Sequence, residues 1–286
     1  MTRTRAAIFV YHDFVARPDA AAPRGHTYVL DQRRFATHLD ALAASDARPA
    51  RLADVAARGI AARVVPLAGD GSVAGAAPDA DARTRFVLSF DDGHISNYTV
   101  AFARLAARGW PGCFFIVASR IGKPDAVGWP ELREMATAGM EIGSHSLTHP
   151  LLRHAPDAEI RREFGESKRI LEDGLGRPVT LASLPYGSAT PRLRAIVADL
   201  GYAVFCTSVP GLISAASDPL ALPRIAIKQR TPARFLEQVI AGNTVTLAGL
   251  RSVHVLKEVG KQLMGNERWR RVRRAVVQLA PREAGR

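Results

Sequence analysis

Short apolar runs recur along the chain, and segments with helical spacing of apolar residues separate them. The runs are rich in β-branched and aromatic residues, which favour strands. The predicted strands are Ala6–Val10, Ala62–Pro66, Phe86–Phe90, Cys113–Ala118, Met140–Gly143, Val179–Ser183, Tyr202–Cys206 and Arg224–Ile227. The predicted helices are Arg33–Ala44, Asn97–Arg108, Pro130–Ala138, Asp157–Leu175, Thr190–Leu200 and Thr231–Ala241. Strands alternating with helices are typical of a parallel α/β architecture.

Polar motifs follow three of the predicted strands. Asp91 and Asp92 come after Phe86–Phe90, and His145 comes after Met140–Gly143. The segment Ser183-Leu184-Pro185-Tyr186-Gly187 ends a third strand in the same way. Because a parallel barrel builds its active site at the carboxyl ends of its strands, we expect these side chains to meet.

The segments Phe90-Asp91-Asp92-Gly93 and Ser144-His145-Ser146-Leu147-Thr148-His149 contain the ingredients of a metal site. One Asp and two His form a ligand set that suits a divalent metal and leaves coordination positions open. The four-residue spacing of the two histidines predicts that they share one face of a helical turn. The other Asp is then free for proton transfer, a combination typical of hydrolases.

Composition restricts the class of protein. The chain has 286 residues, 47% of them hydrophobic and 23% charged, as expected for a soluble globular protein with a full core. No stretch approaches the roughly 20 apolar residues of a membrane span, and the N-terminal apolar run stops at Tyr11-His12-Asp13, too short for a signal peptide. We therefore expect a cytoplasmic location. The cysteines Cys113 and Cys206 lie in apolar runs and are interpreted as buried structural thiols.

The net charge of +12 is concentrated near the C-terminus. Residues 251–286 hold ten Lys or Arg against three Glu, a net +7. This pattern predicts a catalytic region over residues 1–250 and a basic helical extension over 251–286. The extension is interpreted as a solvated helix face packed on the body, or as a basic amphipathic helix on an anionic membrane. No nucleic-acid module accompanies it, so no nucleic-acid partner is expected.

The two metal-site segments together resemble the hallmarks of the polysaccharide deacetylase family, carbohydrate esterase family four, also known as the NodB-homology domain. That family carries a [T/S]-F-D-D-G strand end and an H-[S/T]-x-x-H segment, matched here by Ser89–Gly93 and His145–His149. The resemblance covers about residues 6–240. It implies a single-domain, distorted (β/α) barrel of about seven parallel strands with an open sugar groove.

The resemblance also implies roles for individual residues. Asp91 would be the general base, and Asp92, His145 and His149 would hold the metal, with zinc as the default and cobalt, nickel or iron tolerated. The backbone N–H of Tyr186 would stabilise the oxyanion. The candidate substrate-side residues are Pro185, His94 and Arg224.

One position departs from the family pattern. The third motif, R-x-P-[Y/F]-G, has Ser183 in place of the Arg that normally orients the catalytic Asp. Arg224, at the start of a later strand, could reach over to Asp91 and supply that guanidinium. A surface position or another salt bridge would explain Arg224 equally well.

The general acid is also displaced from its common place. The usual C-terminal Leu-x-His is missing, and His254 is the only late histidine. His12 ends the first strand in Val10-Tyr11-His12-Asp13, which resembles the start of the permuted poly-β-1,6-N-acetylglucosamine deacetylases. His12 is therefore the favoured acid and His254 the alternative.

These observations together predict a metal-dependent hydrolase that removes acetyl groups from N-acetylated amino sugars and releases acetate. The predicted substrate is a polysaccharide or oligosaccharide, or a lipid-linked or nucleotide-linked precursor. Two alternatives remain open: hydrolysis of a non-sugar amide or cyclic imide on the same fold, and a non-catalytic carbohydrate-binding protein.

Overall fold

A computed structural model describes residues 5–15, 27–60, 83–187, 189–256 and 259. The predicted strand Ala62–Pro66 and most of the predicted loop 67–84 lie outside these residues. The chain divides into two compact units, Met1–Asn243 and Thr244–Arg286. The predicted functional division at residue 251 stays a prediction.

Parallel strands form the centre of the first unit. Its strands are β1 Ala6–Tyr11, β2 Phe14–Val15, β3 Leu30–Asp31, β4 Arg48–Pro49, β5 Arg85–Phe90, β6 Cys113–Ile116, β7 Glu141–Ser144, β8 Leu181–Ser183, β9 Val204–Cys206 and β10 Ile225–Ala226. Seven of them pair in parallel in the order β10-β1-β5-β6-β7-β8-β9, while β4 pairs with the beginning of β5. This curled sheet with surrounding helices is the predicted distorted (β/α) barrel.

Helices connect the strands. They are α1 Gln32–Ala44, α2 Leu52–Ile60, α3 Ala103–Ala106, α4 Trp129–Thr137, α5 Asp157–Leu175, α6 Pro191–Asp199, α7 Ala233–Ile240 and, in the second unit, α8 Thr244–Leu256. Side chains define several of their ends: the Asp31 carboxylate accepts from the Arg33 N–H before α1, and Gly176 takes the left-handed conformation after α5.

The predicted elements are confirmed wherever the structure describes them, with ends shifted by a few residues. The largest difference is Asn97–Arg108, where a π-helix over Asn97–Phe102 runs into α3. This wider winding begins at Asn97, whose side-chain amide donates to the His12 carbonyl at 2.6 Å. Widened helical turns of this kind are frequent at functional sites. The sequence pattern did not predict the short strands β2, β3 and β4, the helix α2 or the first half of α8, whose residues 251–256 belong to the predicted helical extension.

The strands bury their side chains almost completely, as expected for a parallel sheet covered by helices. Cys113 and Cys206 are both buried and free, which confirms them as structural thiols. Burial raises the pKa of the Cys206 thiol to about 12 and so keeps it protonated. Within the described residues, no single helix is long and apolar enough to cross a membrane; α7 and α8 meet that requirement only when counted as a bent pair.

Candidate metal centre and active site

Asp91 and Asp92 follow β5 and bring their carboxylates to one place. Successive strand residues point to opposite faces, so a continued strand would separate the two side chains. Asp92 instead adopts a left-handed backbone with φ of 75°, followed by Gly93 at 70°. Asp is one of the few residues besides glycine that tolerates this conformation. As a result both carboxylates lie within 3.7 Å of the His145 Nε2 atom.

The two histidines lie on the irregular loop between β7 and α5, so the predicted helical turn is wrong. Ser146 and His149 have positive φ values of 66° and 63°, which no α-helix contains. Serine hydroxyls take backbone N–H groups that a helix would pair internally: Ser146 N–H donates to Ser144 Oγ, and His149 N–H to Ser146 Oγ. The irregular loop nevertheless places both imidazoles beside Asp92.

Asp92, His145 and His149 fit a divalent metal. The Asp92 Oδ1 atom lies 3.5 Å from His145 Nε2 and 3.3 Å from His149 Nε2. Ligands at tetrahedral zinc distances are about 3.3 Å apart. Asp92 Oδ1 is buried and accepts no hydrogen bond from any residue that the structure describes. A bound cation would satisfy this atom, so these three side chains suit a divalent metal.

Hydrogen bonding and burial prepare the imidazoles for metal binding. The His145 Nδ1–H donates to the Ser183 carbonyl at 3.0 Å, which leaves the Nε2 lone pair free on the side of Asp92. Burial, and then the neighbouring His145, lower the pKa of His149 to about 4. The His149 ring therefore offers a neutral nitrogen at pH 7.

Arg224 forms a bidentate ion pair with Asp91. Its Nη1 and Nη2 each lie 2.7 Å from an Asp91 carboxylate oxygen, and Nη2 also donates to the Ser183 hydroxyl. Ser183, which stands where the family motif has Arg, thus leaves room for a guanidinium from another strand. The Arg224 side chain is only 1% exposed, so a sugar would not reach it. We therefore separate it from the substrate-side residues.

This ion pair controls the charge of Asp91. Burial by itself would raise the pKa of the Asp91 carboxyl. The Arg224 guanidinium and the His145 ring outweigh burial and hold that pKa well below its usual range. Asp91 is therefore ionised at neutral pH and able to accept a proton.

Pro185 and Tyr186 form the turn after β8. Tyr186 has a positive φ of 64°, and its ring packs edge-on against His149 with centroids 4.7 Å apart. Within the described residues, the Tyr186 N–H has no hydrogen-bond acceptor, as an oxyanion donor requires. The Tyr186 side chain is 54% exposed, whereas Pro185 is buried. Pro185 therefore shapes the turn and offers little surface to a substrate.

His12 lies at the end of β1, next to the carboxyl end of β5. The Asp91 N–H donates to the carbonyl of Tyr11, the residue before His12. The His12 ring stacks on Tyr28 with centroids 4.7 Å apart, and its Nδ1 is buried with no hydrogen-bond partner among the described residues. The ring is near enough to contribute to the lowered pKa values of Asp91 and His149. It thus shares their electrostatic environment.

The other two candidate histidines, His94 and His254, have different positions. His94 is half-buried two residues after Asp92, and its Nδ1 accepts from the Ser96 N–H at 3.1 Å. His254 lies on α8, in the second compact unit.

Two residues near the site had not been predicted from the sequence. Asn97 holds the His12 carbonyl, and Glu163 accepts hydrogen bonds from the loop that carries the candidate metal ligands His145 and His149, called the metal-ligand loop below. Glu163 had a recognisable signal: it shares the buried face of α5 with apolar residues such as Ile160 and Leu171. A carboxylate at such a position is rare unless it has partners.

The fold and the site together define the class, a distorted parallel (β/α) barrel with a candidate Asp–His–His metal centre and an ion-paired carboxylate beside it. Residues 79–205 match the family model for polysaccharide deacetylase. This segment of the chain is thus similar to the polysaccharide deacetylase domain.

Curated relatives share part of the chain. YxkH of Bacillus subtilis strain 168, whose name assigns it to the polysaccharide deacetylases, is 26% identical over 49% of this chain and 50% of its own. Chitin deacetylase 1 of Cryptococcus neoformans var. grubii is 30% identical over 40% of this chain and 23% of its own. The peptidoglycan-N-acetylmuramic acid deacetylase PdaC of Bacillus subtilis is 31% identical over 37% and 22%. The matched part of the chain thus spans half or less of these relatives.

Solved structures share the fold over a larger part of the chain. The Streptococcus pyogenes deacetylase PplD, solved with acetate, superposes with a TM-score of 0.69 at 20% identity, covering 83% of this chain and 99% of that chain. IcaB from Ammonifex degensii superposes with a TM-score of 0.66 at 21% identity, covering 83% and 96%.

Proposed function

We propose that this chain is a metal-dependent carbohydrate N-deacetylase that hydrolyses the acetamide of an N-acetylated amino sugar. The observation that carries this proposal is the ion-paired, ionised Asp91 beside the Asp92–His145–His149 cluster. One carboxylate is available for proton transfer and the other for metal binding, as amide hydrolysis with a metal requires. The match of residues 79–205 to the polysaccharide deacetylase family model supports the same chemistry.

We propose that Asp92, His145 and His149 hold zinc, since one carboxylate and two imidazoles suit it; cobalt, nickel and iron are tolerated by the same set. When bound, the metal supplies Lewis-acid chemistry: it polarises the acetyl carbonyl and lowers the pKa of the attacking water.

The protein's own groups would complete the reaction. Asp91 accepts a proton from the attacking water as its oxygen bonds to the acetyl carbon. The Tyr186 N–H donates to the oxygen on which negative charge develops. His12 gives a proton to the sugar nitrogen as the carbon–nitrogen bond breaks. Acetate and a free amino sugar are the products.

Arg224 is proposed to act on Asp91 and not on the sugar. Its two parallel hydrogen bonds fix the plane of the carboxylate, and its charge keeps the carboxylate ionised. His94, two residues after Asp92, and the exposed Tyr186 in the turn that buried Pro185 shapes are proposed to border the sugar.

The proposed substrate is an oligomer or polymer of N-acetylglucosamine, or a lipid-linked or nucleotide-linked precursor. The names of the relatives, a chitin deacetylase and a peptidoglycan deacetylase, support an N-acetylated sugar. An acid histidine at the end of the first strand, as in the permuted branch of the family, favours a β-1,6-linked N-acetylglucosamine chain.

Mass spectrometry of candidate substrates, with metal analysis of the purified protein, tests this function. The panel contains β-1,6-linked and β-1,4-linked N-acetylglucosamine oligomers and a nucleotide-linked N-acetylglucosamine. We expect about one zinc per chain and a loss of acetyl mass from at least one of these sugars. Bound metal without acetate release would favour a non-sugar amide or cyclic imide as substrate. A chain without bound metal would instead favour a non-catalytic binding protein.

We also propose that the C-terminal region places the protein on an anionic membrane surface. Helix α8 has a single charged residue, Arg251, and exposes Val245, Val253, Val255 and Leu256 by 58–79%. A helix with exposed apolar residues normally packs them against another surface. The basic residues of 251–286 would attract the anionic headgroups of a membrane, which would provide that surface.

Vesicle sedimentation tests this membrane contact. Each basic residue near an anionic surface contributes about 1 kcal/mol. Changing Arg270, Arg271, Arg273 and Arg274 to Gln should therefore lower the partition onto phosphatidylserine vesicles roughly a thousandfold. The full chain should not sediment with neutral vesicles, which serve as the control. Equal partition of the full chain and of a chain truncated after residue 250 would contradict the proposal.

A further inference from the structure

Glu163 is the one carboxylate on the buried face of α5. Its side chain has no exposed surface, although glutamate is rarely buried to this extent. Its Oε2 accepts from the Leu147 N–H at 3.0 Å and the Thr148 N–H at 2.8 Å. Its Oε1 accepts from the Thr148 hydroxyl at 2.8 Å and from Arg162 at 3.1 Å. Three of these four bonds thus come from the loop that carries His145 and His149.

That loop needs an external support. Two of its residues, Ser146 and His149, have left-handed backbone conformations that are costly for side chains other than glycine. Such conformations persist only where surrounding contacts determine them. Glu163 binds the two residues that lie between Ser146 and His149 in the chain. It therefore acts on the part of the loop where the backbone must turn.

The loop has a second anchor on the His145 side. The Ser144 hydroxyl bonds to the Ser167 hydroxyl of α5 at 2.7 Å, and it accepts from the Ser146 N–H. Ser167 lies one turn after Glu163 on the same buried face. Helix α5 therefore holds the loop on one side through Glu163 and Ser167. On the other side, the Ser183 carbonyl of β8 orients the His145 ring.

We propose that Glu163 is a positioning residue that holds the loop between His145 and His149 in a metal-binding conformation and so sets the affinity of the site for divalent metal. This inference rests on the proposed metal site. Among the described residues, Glu163 makes no hydrogen bond with either imidazole and acts through Leu147 and Thr148. Outer residues that orient metal ligands typically change metal affinity by 10–100-fold when removed.

The test is the dissociation constant of Zn²⁺ from the full-length apoprotein, measured by chelator competition. Glu163→Met keeps the length of the side chain but removes both acceptors, and it should weaken Zn²⁺ binding roughly 10–100-fold. Glu163→Gln keeps one neutral acceptor and should fall between Met and wild type, because charged acceptors bind more strongly. Glu166→Gln, at an exposed position on the same helix, should match wild type.

A second measurement separates positioning from general stability. The visible absorption spectrum of the Co²⁺-loaded protein reports ligand geometry, and we expect it to change in the Glu163 variants and not in Glu166→Gln. If Glu163→Met does not fold, Glu163→Gln still gives both readouts.

The outcomes are distinguishable from those of the proposed function. Folded Glu163 variants with wild-type Zn²⁺ affinity and wild-type Co²⁺ spectra would overturn the inference and leave the deacetylase proposal in place. A wild-type chain that binds no Zn²⁺ would overturn both. A wild-type chain that binds Zn²⁺ but deacetylates no sugar would overturn the proposed function alone, while the affinity series decides the inference.

Discussion

Asp91→Asn is expected to lower the rate of acetate release roughly 10²–10⁴-fold, the usual contribution of a general acid–base group. The substituted amide cannot accept the proton of the attacking water. It also leaves part of the buried Arg224 guanidinium without a carboxylate. Removing one partner of a buried ion pair costs about 3–5 kcal/mol, so the free energy of unfolding should fall as well. Steady-state kinetics on the best sugar of the panel measures the first effect and thermal unfolding the second.

The metal content of Asp91→Asn distinguishes a lost base from a lost site. Asp91 is not among the three residues that converge as ligands, so the variant should keep its metal. Asp125→Asn is the matched control, because Asp125 is exposed and pairs only with Arg120 at 2.8 Å among the described ion pairs. Wild-type turnover by folded Asp91→Asn would show that this carboxylate is not the base. Loss of metal from the variant would show that it is a ligand.

His12→Gln is expected to lower turnover of an N-acetyl sugar by a similar factor, roughly 10²–10⁴-fold, because the amine must be protonated as it leaves. An aryl acetate has a leaving group that departs without a proton. Its hydrolysis should therefore be much less affected by the same change. The ratio of amide to ester turnover, compared between the variant and wild type, measures the acid role directly.

Two other histidines serve as controls for this prediction. His154→Gln, at an exposed position, and His254→Gln change the same residue type, and neither should alter the ratio of amide to ester turnover. A selective loss of amide hydrolysis in His254→Gln, with His12→Gln unaffected, would transfer the acid role to His254. Equal loss of amide and ester hydrolysis in His12→Gln would indicate a structural role for His12.

Local sequence patterns were sufficient to predict much of the barrel and the three side chains that converge as candidate metal ligands. Buried parallel strands appear as short apolar runs, and helices by their apolar spacing, so the order of these elements follows from patterns within each segment. The carboxyl ends of parallel strands meet at one edge, which brings the Asp pair after β5 and His145 after β7 together.

The backbone conformation of the metal-ligand loop, between His145 and His149, could not be predicted from local sequence patterns. Spacing of four residues between His145 and His149 favoured a helical turn, and the structure has left-handed residues instead. The hydrogen bonds that stabilise this loop come from Glu163, which is 14 residues beyond His149 in the chain. A short-range pattern contains no information about such a partner.

The sequence by itself determined the class of fold, the strand ends that carry chemistry and the identity of the candidate metal ligands. These properties depend on residue type and local spacing, which any stretch of chain displays. Only the tertiary structure decided that Arg224 pairs with Asp91, that Asn97 holds the backbone of His12, and that Glu163 supports the metal-ligand loop. These contacts join residues distant in the chain, and they form only when packing of the strands and helices has buried both partners. Because burying a charge without a partner is costly in free energy, the buried Arg224, Asp91 and Glu163 side chains need the partners that the structure shows.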